Sequence, residues 1–358
     1  MIGSDVYFAP VSENEAVESI QEKVVRLYDA AGIGDCIQEN DLVGLKIHFG
    51  EKGNTTHICP DYVKPVVDLV KLRKGNPFWI DTNTLYNGQR AVTPNHLRVA
   101  EEHGFTIERT GAPVVIIGGL TGNDACLLPV KGKYYEEVSV ALDLERINSL
   151  VILSHATGHM VSGFGGALKN VGMGLSSRRG KLDQHSDVKP FVREDKCRGC
   201  TVCLNWCPVQ AIAMHDKKAG IDGELCIGCG ECLAACRYKA IGFNWSATSQ
   251  VLQEKMVEYT SGILRSKAGR FGLMNFLINV TKDCDCLGTP NEILAPAIGI
   301  LASKDPVAID AASLDLFRKH CGKTLCESSY PHLDSEHQIK HAVELGLGNR
   351  EYRLVEIA

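Results

Sequence analysis

The 358-residue chain lacks the features of a membrane protein, a secreted protein or a protein that coats nucleic acid. No apolar run approaches the roughly 18 residues that span a bilayer. The 38 basic and 43 acidic residues give a net charge of −5, whereas phosphate binding needs a positive field. The first residues, MIGSDVYFAP, contain neither a basic segment nor a long apolar one. We therefore predict no signal peptide and a cytoplasmic protein.

Motifs of common enzyme classes are also missing. The glycine-rich stretch 163–174 does not end in the G-K-[ST] of a Walker loop, and Leu168 stands where the dinucleotide GxGxxG pattern needs its third glycine. No nucleophile with a matching base and orienting residue stands out, which disfavours a hydrolase. Apolar residues make up 44% and charged residues 23% of the chain, which is an ordinary globular balance.

Alternating helix and strand patterns predict an α/β fold, a mostly parallel sheet with flanking helices. The predicted helices are 12–32, 59–75, 94–104, 247–268 and 306–321, and the predicted strands are 41–50, 77–82, 113–118, 149–154, 273–281 and 297–302. Residues 163–174 contain five glycines and predict a functional loop or a loop-to-helix entry rather than a strand. Asp305 is expected to cap the helix that begins at Pro306, and Asp310 to be an acid of its first turn.

Cysteine is the unusual component. Eight of the 15 cysteines lie between residues 191 and 245. Without an export signal, clustered cysteines more often bind metal or carry out redox chemistry than form a disulfide framework. This change in composition predicts two domains, a discontinuous α/β domain of residues 1–190 plus 246–358 and a cysteine insert of residues 191–245.

The cysteine insert contains two copies of one motif. The first copy is Cys197, Cys200, Cys203 and Cys207, and the second is Cys226, Cys229, Cys232 and Cys236. Every cysteine of the second copy follows its counterpart at the same distance along the chain, and CPVQAI aligns with CRYKAI at that offset. A repeat of fixed period is far harder to obtain by chance than a single motif.

The motif resembles that of the bacterial two-cluster ferredoxins, in which the fourth cysteine of each motif binds the other cluster. We therefore predict an α+β ferredoxin-like fold with two [4Fe–4S] clusters. Cluster 1 is assigned to the first quartet, Cys197, Cys200, Cys203 and Cys236, and cluster 2 to the second quartet, Cys226, Cys229, Cys232 and Cys207. Structural zinc is the alternative. Arg237 stands where a proline is usual, and its charge would tend to raise the potential of cluster 1.

Four segments outside the insert are rich in polar residues at predicted strand ends: 46–60, 81–90, 154–181 and 283–310. Their LKNVGMG loop, Cys-Asp-Cys step and ASKDPVAID stretch resemble those of the iron–sulfur center proteins of domain-of-unknown-function family 362. The resemblance covers nearly the whole chain. It implies a fold and a pocket but no particular reaction.

Ligands of open α/β sheets bind beyond the carboxyl ends of the strands, so we expect one polar rim there. Its predicted members are His48, Glu51, Asp81, Asn83, His155, His159 and Cys284–Cys286. If they are helical, His155 and His159 would face one side and share a metal; otherwise they are hydrogen-bonded histidines of a turn. Two thiols two residues apart, Cys284 and Cys286, could grip a metal or pass electrons onward, although a disulfide between them would be strained. Buried spectator cysteines are the alternative.

The glycine-rich loop is the candidate ligand-binding segment. Its backbone N–H groups could converge on an anion beside the charge of Lys169, or the loop could simply pack a helix closely on the sheet. The candidate ligand-binding residues are Gly163, Gly165, Gly166, Lys169, Asp81 and Asn83. Asp81 and Asn83 could instead cap the next segment through Asx turns. Arg178, Arg179 and Lys181 are interpreted as a solvated basic face.

The leading functional hypothesis is a cytoplasmic redox protein, and the oxygen sensitivity of such clusters suggests an anaerobic setting. The insert would relay electrons between a partner protein and a site in the α/β domain. The candidate catalytic residues of that site are His155, His159, Lys169, Cys284 and Cys286. If the protein is an enzyme, it is then an oxidoreductase that binds a further metal or a small anionic molecule. The alternative is an electron carrier, or a ligand- or metal-binding module, without substrate turnover. No membrane or nucleic-acid partner is expected.

Overall fold

The protein is described from a computed structural model, which describes residues 3–86, 88–185, 189–243 and 248–357. The strands in these ranges are β1 (Ser4–Pro10), β2 (Leu42–Lys46), β3 (Asn76–Thr82), β4 (Val114–Ile117), β5 (Ala125–Pro129), β6 (Glu137–Ala141), β7 (Ser149–His155), β8 (Thr157–His159), β9 (Gly163–Gly165), β10 (Phe191–Val192), β11 (Ile212–His215), β12 (Lys218–Ile221), β13 (Ile241–Gly242), β14 (Phe271–Thr281), β15 (Ile293–Ser303) and β16 (Tyr352–Glu356).

The α-helices occupy the segments between these strands. They are α1 (Val17–Ala30), α2 (Pro60–Leu72), α3 (Thr93–Glu102), α4 (Ile107–Thr110), α5 (Ala167–Gly172), α6 (Arg178–His185), α7 (Val202–Trp206), α8 (Glu231–Ala235), α9 (Ser249–Ser266), α10 (Pro306–Cys321), α11 (Leu325–Ser329) and α12 (Glu336–Glu344). Within the described ranges, no helix combines the length and apolar character needed to cross a membrane.

Eight strands form a central sheet in the order β16-β1-β15-β14-β7-β2-β3-β4. The five strands from β14 to β4 run parallel to one another. β15 is antiparallel to both of its neighbours, and β16 pairs parallel with β1. The predicted α/β fold with a mostly parallel sheet and flanking helices is confirmed.

Apolar clusters cover both faces of the central sheet. Successive side chains of a strand point to opposite faces, so a central strand contributes to both clusters. On β7, Val151 and Leu153 pack in one apolar cluster with α1 and α2. Leu150 and Ile152 pack in the other with α9 and α10. Burial on both faces explains why the central strands appear in the sequence as continuous apolar runs.

The strand order reverses beside β2. From β2 the chain proceeds outward to β3 and β4, whereas β7 and β14 lie on the other side of β2. The crevice at the carboxyl ends of β2 and β7 is therefore a topological switch point, the usual ligand position in such sheets. Lys46 and His155 are the last residues of these two strands, and β14 leads into the Cys284–Cys286 loop.

All predicted helices and strands coincide with observed ones to within a few residues. The interpretation of 163–174 as strand-free was wrong at its start, because Gly163–Gly165 pairs with Thr157–His159 in a short hairpin before α5. The hairpin packs closely against the segment that follows β14. A Cβ atom at Gly158 would lie 2.2 Å from the carbonyl oxygen of Lys282, so only glycine fits there.

Residues 189–243 contain two small antiparallel strand pairs, β10 with β13 and β11 with β12, and two short helices. The helices α7 and α8 begin at the same offset from each other as the two cysteine motifs. These residues surround an apolar cluster that also includes Leu85 and Leu182. The division into two domains stays a prediction, and its boundary between residues 245 and 246 lies outside the described residues.

Candidate functional site

A cavity of about 530 Å³ opens at the carboxyl ends of β2, β3 and β7, and we call it the strand-end cavity. Its volume is in the usual range for small-molecule sites. It brings together nine predicted residues: His48, Asp81, His155, His159, Gly165, Gly166, Lys169, Cys284 and Cys286. They arrive from several separate segments of the chain, so the cavity exists only in the folded protein.

Three other predicted residues lie outside the lining of this cavity. Asn83 is buried, and its Nδ2 donates to Thr93 Oγ1 (3.0 Å) and to the Gly119 carbonyl (3.2 Å). Asn83 therefore connects to the start of α3 and to the loop after β4 instead of facing a ligand. Glu51 accepts the N–H of Gln89, and Gly163 begins β9.

Asp81 is the centre of a buried charge network at one side of the cavity. Its carboxylate lies 3.2 Å from Lys46 Nζ and 3.2 Å from Arg90 Nη1. Burial alone would raise the pKa of Asp81, but the nearby charges, that of Lys46 above all, outweigh it and lower the pKa. The carboxylate is therefore ionised and holds two cations below the cavity.

The basic residues after the glycine-rich loop were interpreted as a solvated face, and this was wrong for two of them. Arg178 is fully buried, and Lys181 is only 8% exposed, whereas Arg179 faces solvent. α6 turns inward, and Lys181 donates to Thr82 Oγ1 and to the Ser176 carbonyl. Burial lowers the pKa of Lys181 to about 7.

Two N–H groups at the end of the glycine-rich loop are taken by a carboxylate of the protein itself. The N–H groups of Ala167 and Leu168 donate to the Asp310 carboxylate at 2.7 and 2.9 Å. Asp305 caps its own helix as predicted, whereas the prediction for Asp310 was wrong, because it lies beyond the first turn of α10 and binds the start of α5. What remains for a ligand is Lys169, which lines the cavity and has no hydrogen bond or ion pair with any described residue. Burial lowers its pKa to about 8.

His155 and His159 do not form a helical metal-binding pair, because they lie at the end of β7 and in β8. His155 is engaged on both sides of its ring. Nδ1 lies 2.8 Å from Asp285 Oδ2, and Nε2 lies 2.9 Å from the Ile278 carbonyl. Burial alone would lower the pKa of His155, but the charge of Asp285 outweighs it and raises the pKa. His155 is therefore an imidazolium that positions Asp285.

His159 is held as a neutral ring. Its Nδ1 accepts the N–H groups of Val161 (3.2 Å) and Ser162 (3.0 Å), which places the proton of the neutral ring on Nε2. Burial, and then the charge of Lys169, keeps the pKa of His159 well below its usual value. A metal at this ring would require Nε2 to lose its proton or Nδ1 to lose these two hydrogen bonds.

Cys284 and Cys286 are joined by a disulfide. The chain turns at Asp285, where the Leu287 N–H donates to the Cys284 carbonyl at 3.2 Å, and this turn brings the Cα atoms of the two cysteines to 5.3 Å. The Asp285 side chain points to His155. The two sulfurs and a ring nitrogen of His159 lie within 4.8 Å of one another and form a candidate metal site. A metal there would need the two cysteines as thiolates, so the disulfide and the metal exclude each other.

The eight cysteines of the insert fall into two groups around two small cavities. One cavity is lined by all four members of the first quartet, and the other by all four of the second. Three backbone N–H groups donate to cysteine sulfurs, those of Ala211 to Cys207, Ala240 to Cys236 and Ala219 to Cys197. The first two of these bonds are related by the same offset as the motifs. Arg237 is exposed, so solvent and salt screen its charge.

The second quartet lies beside the wall of the strand-end cavity. A Cβ atom at Gly230 would lie 3.2 Å from the Arg178 side chain, and Thr121 Oγ1 donates to Glu231 Oε1 at 3.0 Å. Leu85 lines the cavity and also packs in the apolar cluster around the cysteines. The insert and the cavity therefore share a wall.

The fold and the site define an α/β protein with a cation-rich cavity at a topological switch point. The chain belongs to the family described as a domain of unknown function (DUF362), whose model matches residues 43–315. No curated protein matches it in sequence.

Two solved structures are similar at 11% sequence identity. The lactate racemase apoprotein from Thermoanaerobacterium thermosaccharolyticum has a TM-score of 0.39, and the alignment covers 77% of this chain and 51% of that one. A Thermotoga maritima protein has a TM-score of 0.44, with coverage of 87% and 59%. The chain thus spans between half and two thirds of the length of these proteins. Neither likeness carries information about the reaction.

Sequence reasoning missed several residues that line the cavity: Lys46, Tyr86, Arg90, His185 and Asp285. The sequence could have identified Lys46, because a lysine that ends an apolar strand must be paired when it is buried. It could have identified Asp285 too, as the residue enclosed by two cysteines. It could not have identified Arg90, because its partners are not apparent from the local sequence.

We predict that Asp81→Asn destabilises the fold by about 3–5 kcal/mol, because it leaves Lys46 and Arg90 buried without their shared counter-charge. The free energy of unfolding in urea measures this loss. The exposed Glu18→Gln is the matched control and should change stability by less than about 0.5 kcal/mol. A loss equal to that of the control would contradict the central role of Asp81.

Proposed function

We propose that this protein is an iron–sulfur redox protein in which two [4Fe–4S] clusters, one per quartet, exchange electrons between a partner protein and the strand-end cavity. The observation that carries the proposal is the partition of the eight insert cysteines into two cavities, each lined by one quartet. Four thiolates around one cavity, one of them from the other motif, suit a cubane cluster. Bound clusters would supply one-electron transfer.

The surroundings of the quartets also suit an anionic cluster. Hydrogen bonds from backbone N–H groups to cysteine sulfur stabilise negative charge on sulfur and tune the potential of such clusters. Beside the second quartet, the buried Arg178 has an Nη1 group without a hydrogen-bond partner among the described residues. A cluster with four thiolate ligands is negatively charged, so a buried guanidinium nearby would stabilise it.

The shared wall supports an electron route from the insert into the α/β domain. Leu85 touches both the cavity and the cysteine cluster, and α6 carries Leu182 on one side and Lys181 on the other. An electron carrier between two proteins would need no cavity of this size. We therefore favour a reaction at the strand-end cavity, which would make the protein an oxidoreductase.

A small anionic molecule is the proposed ligand of the cavity. Lys169 presents an ammonium group without a partner among the described residues, and Lys46, Arg90 and Lys181 line the same space. Three carboxylates line the same space: Asp81 is engaged by Lys46 and Arg90, Asp285 by His155, and Asp283 accepts a hydrogen bond from the Tyr330 hydroxyl. A carboxylate or a similar anion would pair with the ammonium group of Lys169 and neutralise its charge.

The first test is chemical analysis of protein purified without oxygen. We expect about eight irons and about eight sulfides per chain, since each quartet binds four of each. The Cys203→Ser variant should lose about half of both, whereas Cys321→Ser, outside the insert, should lose neither. Zinc without sulfide in the unmodified protein would contradict the proposal.

The second test is binding of sulfate, whose charge is constant above neutral pH. Bound anion favours protonated Lys169, whose pKa is about 8, so affinity should fall about tenfold between pH 7 and pH 9. Lys169→Met should weaken binding at pH 7 about tenfold or more. The exposed Lys52→Met is the control. Calorimetry that gives equal affinities for Lys169→Met and the unmodified protein would exclude Lys169 as the anion partner.

A further inference from the structure

The Cys284–Cys286 disulfide is a reactive group in the strand-end cavity, and the proposed function does not yet give it a role. Both cysteines line the cavity; Cys284 is 7% exposed and Cys286 is half-buried. The sulfurs are thus shielded from bulk solvent but face the space in which a ligand would sit. A ring nitrogen of His159 lies within 4.8 Å of both.

A structural role does not account for this disulfide. Disulfides stabilise a fold mainly by restricting the unfolded chain, and the effect grows with the length of the closed loop. Here the loop contains one residue, Asp285. The segment is in any case anchored without the disulfide, because Asp285 pairs with His155, Tyr86 donates to the Cys286 carbonyl, and Asn54 donates to the Leu287 carbonyl.

We propose that Cys284 and Cys286 form the two-electron redox centre of the strand-end cavity, cycling between disulfide and dithiol. For its electron source this inference rests on the proposed function. Reduction breaks the bond between the sulfurs, which take up two electrons and two protons and become two thiols. The electrons come as two single electrons from reduced iron–sulfur clusters of the insert.

The hydrogen bonds around the two cysteines and a nearby proton donor suit such a cycle. Asp285, Tyr86 and Asn54 hold the chain between and after the two cysteines, so the sulfurs stay close together when the bond opens. Lys169 lines the same cavity, and its ammonium group carries a proton that a leaving sulfur can accept. The dithiol then stores two electrons and two protons for a two-electron reduction of the bound anion, a step that single-electron donors cannot carry out at once.

The test is a redox titration of the full-length protein, purified without oxygen, in mixtures of oxidised and reduced dithiothreitol. Free thiols are trapped with one alkylating reagent, and the remaining disulfides are then reduced, labelled with a second reagent and located by peptide mass spectrometry. We expect Cys284 and Cys286 to change label together, in a single two-electron transition. Cys321 should carry the first label throughout.

A second measurement follows the same labels after addition of dithionite-reduced methyl viologen as the one-electron donor. We expect the pair to be reduced in the unmodified protein, and at least about tenfold more slowly in Cys232→Ser, although dithiothreitol still opens the disulfide in that variant. Equal rates in both proteins would overturn the insert as the electron source. This result concerns the pair alone, because the iron analysis decides separately whether clusters exist.

Three results would overturn the redox role of the pair itself. The first is that both cysteines are free thiols at every potential. The second is a disulfide that no reductant opens in the folded protein. The third is a metal held by Cys284, Cys286 and His159 in the purified protein that keeps both sulfurs from oxidising.

Discussion

Four thiolates that face one small cavity repel one another unless a positively charged centre binds them, and the proposed function depends on that constraint. The insert repeats one motif at a constant offset, and the last cysteine of each copy lines the cavity of the other quartet. The exchange ties the two copies together. The helices α7 and α8, and the N–H groups that donate to Cys207 and Cys236, recur at that same offset. An insert of this size could hardly be stabilised by its small apolar cluster alone.

The second constraint is the burial of charge at the strand ends. Asp81 holds Lys46 and Arg90, and Asp285 holds His155, so these charges are fixed before any ligand arrives. Lys169 is the exception. Asp310 accepts the N–H groups of Ala167 and Leu168 in α5, but the ammonium group of Lys169 has no hydrogen bond or ion pair with any described residue. The proposed anion would therefore meet one ammonium group that has no partner among the described residues. The disulfide lies in the wall of the same cavity.

The strands and helices were predictable because burial on both faces leaves long apolar runs, as on β7. The rim was predictable from the rule that parallel strands end together, which placed His48, Asp81 and His155 side by side. Orientation of side chains was not predictable. Asn83 follows Asp81 by two positions but bonds to loops, and Arg178 and Lys181 turn inward because α6 closes the cavity against the insert. The edge formed by β15, β1 and β16, in which β15 is antiparallel to both of its neighbours, depends on pairings between distant segments.

The central claim is that each quartet holds one iron–sulfur cluster. Diffraction at the iron absorption edge, from crystals grown without oxygen, tests it directly. The account predicts two groups of anomalous peaks, one bonded to Cys197, Cys200, Cys203 and Cys236, and the other to Cys226, Cys229, Cys232 and Cys207. Single zinc ions at these positions, or a cluster bound by the four cysteines of one motif alone, would contradict it.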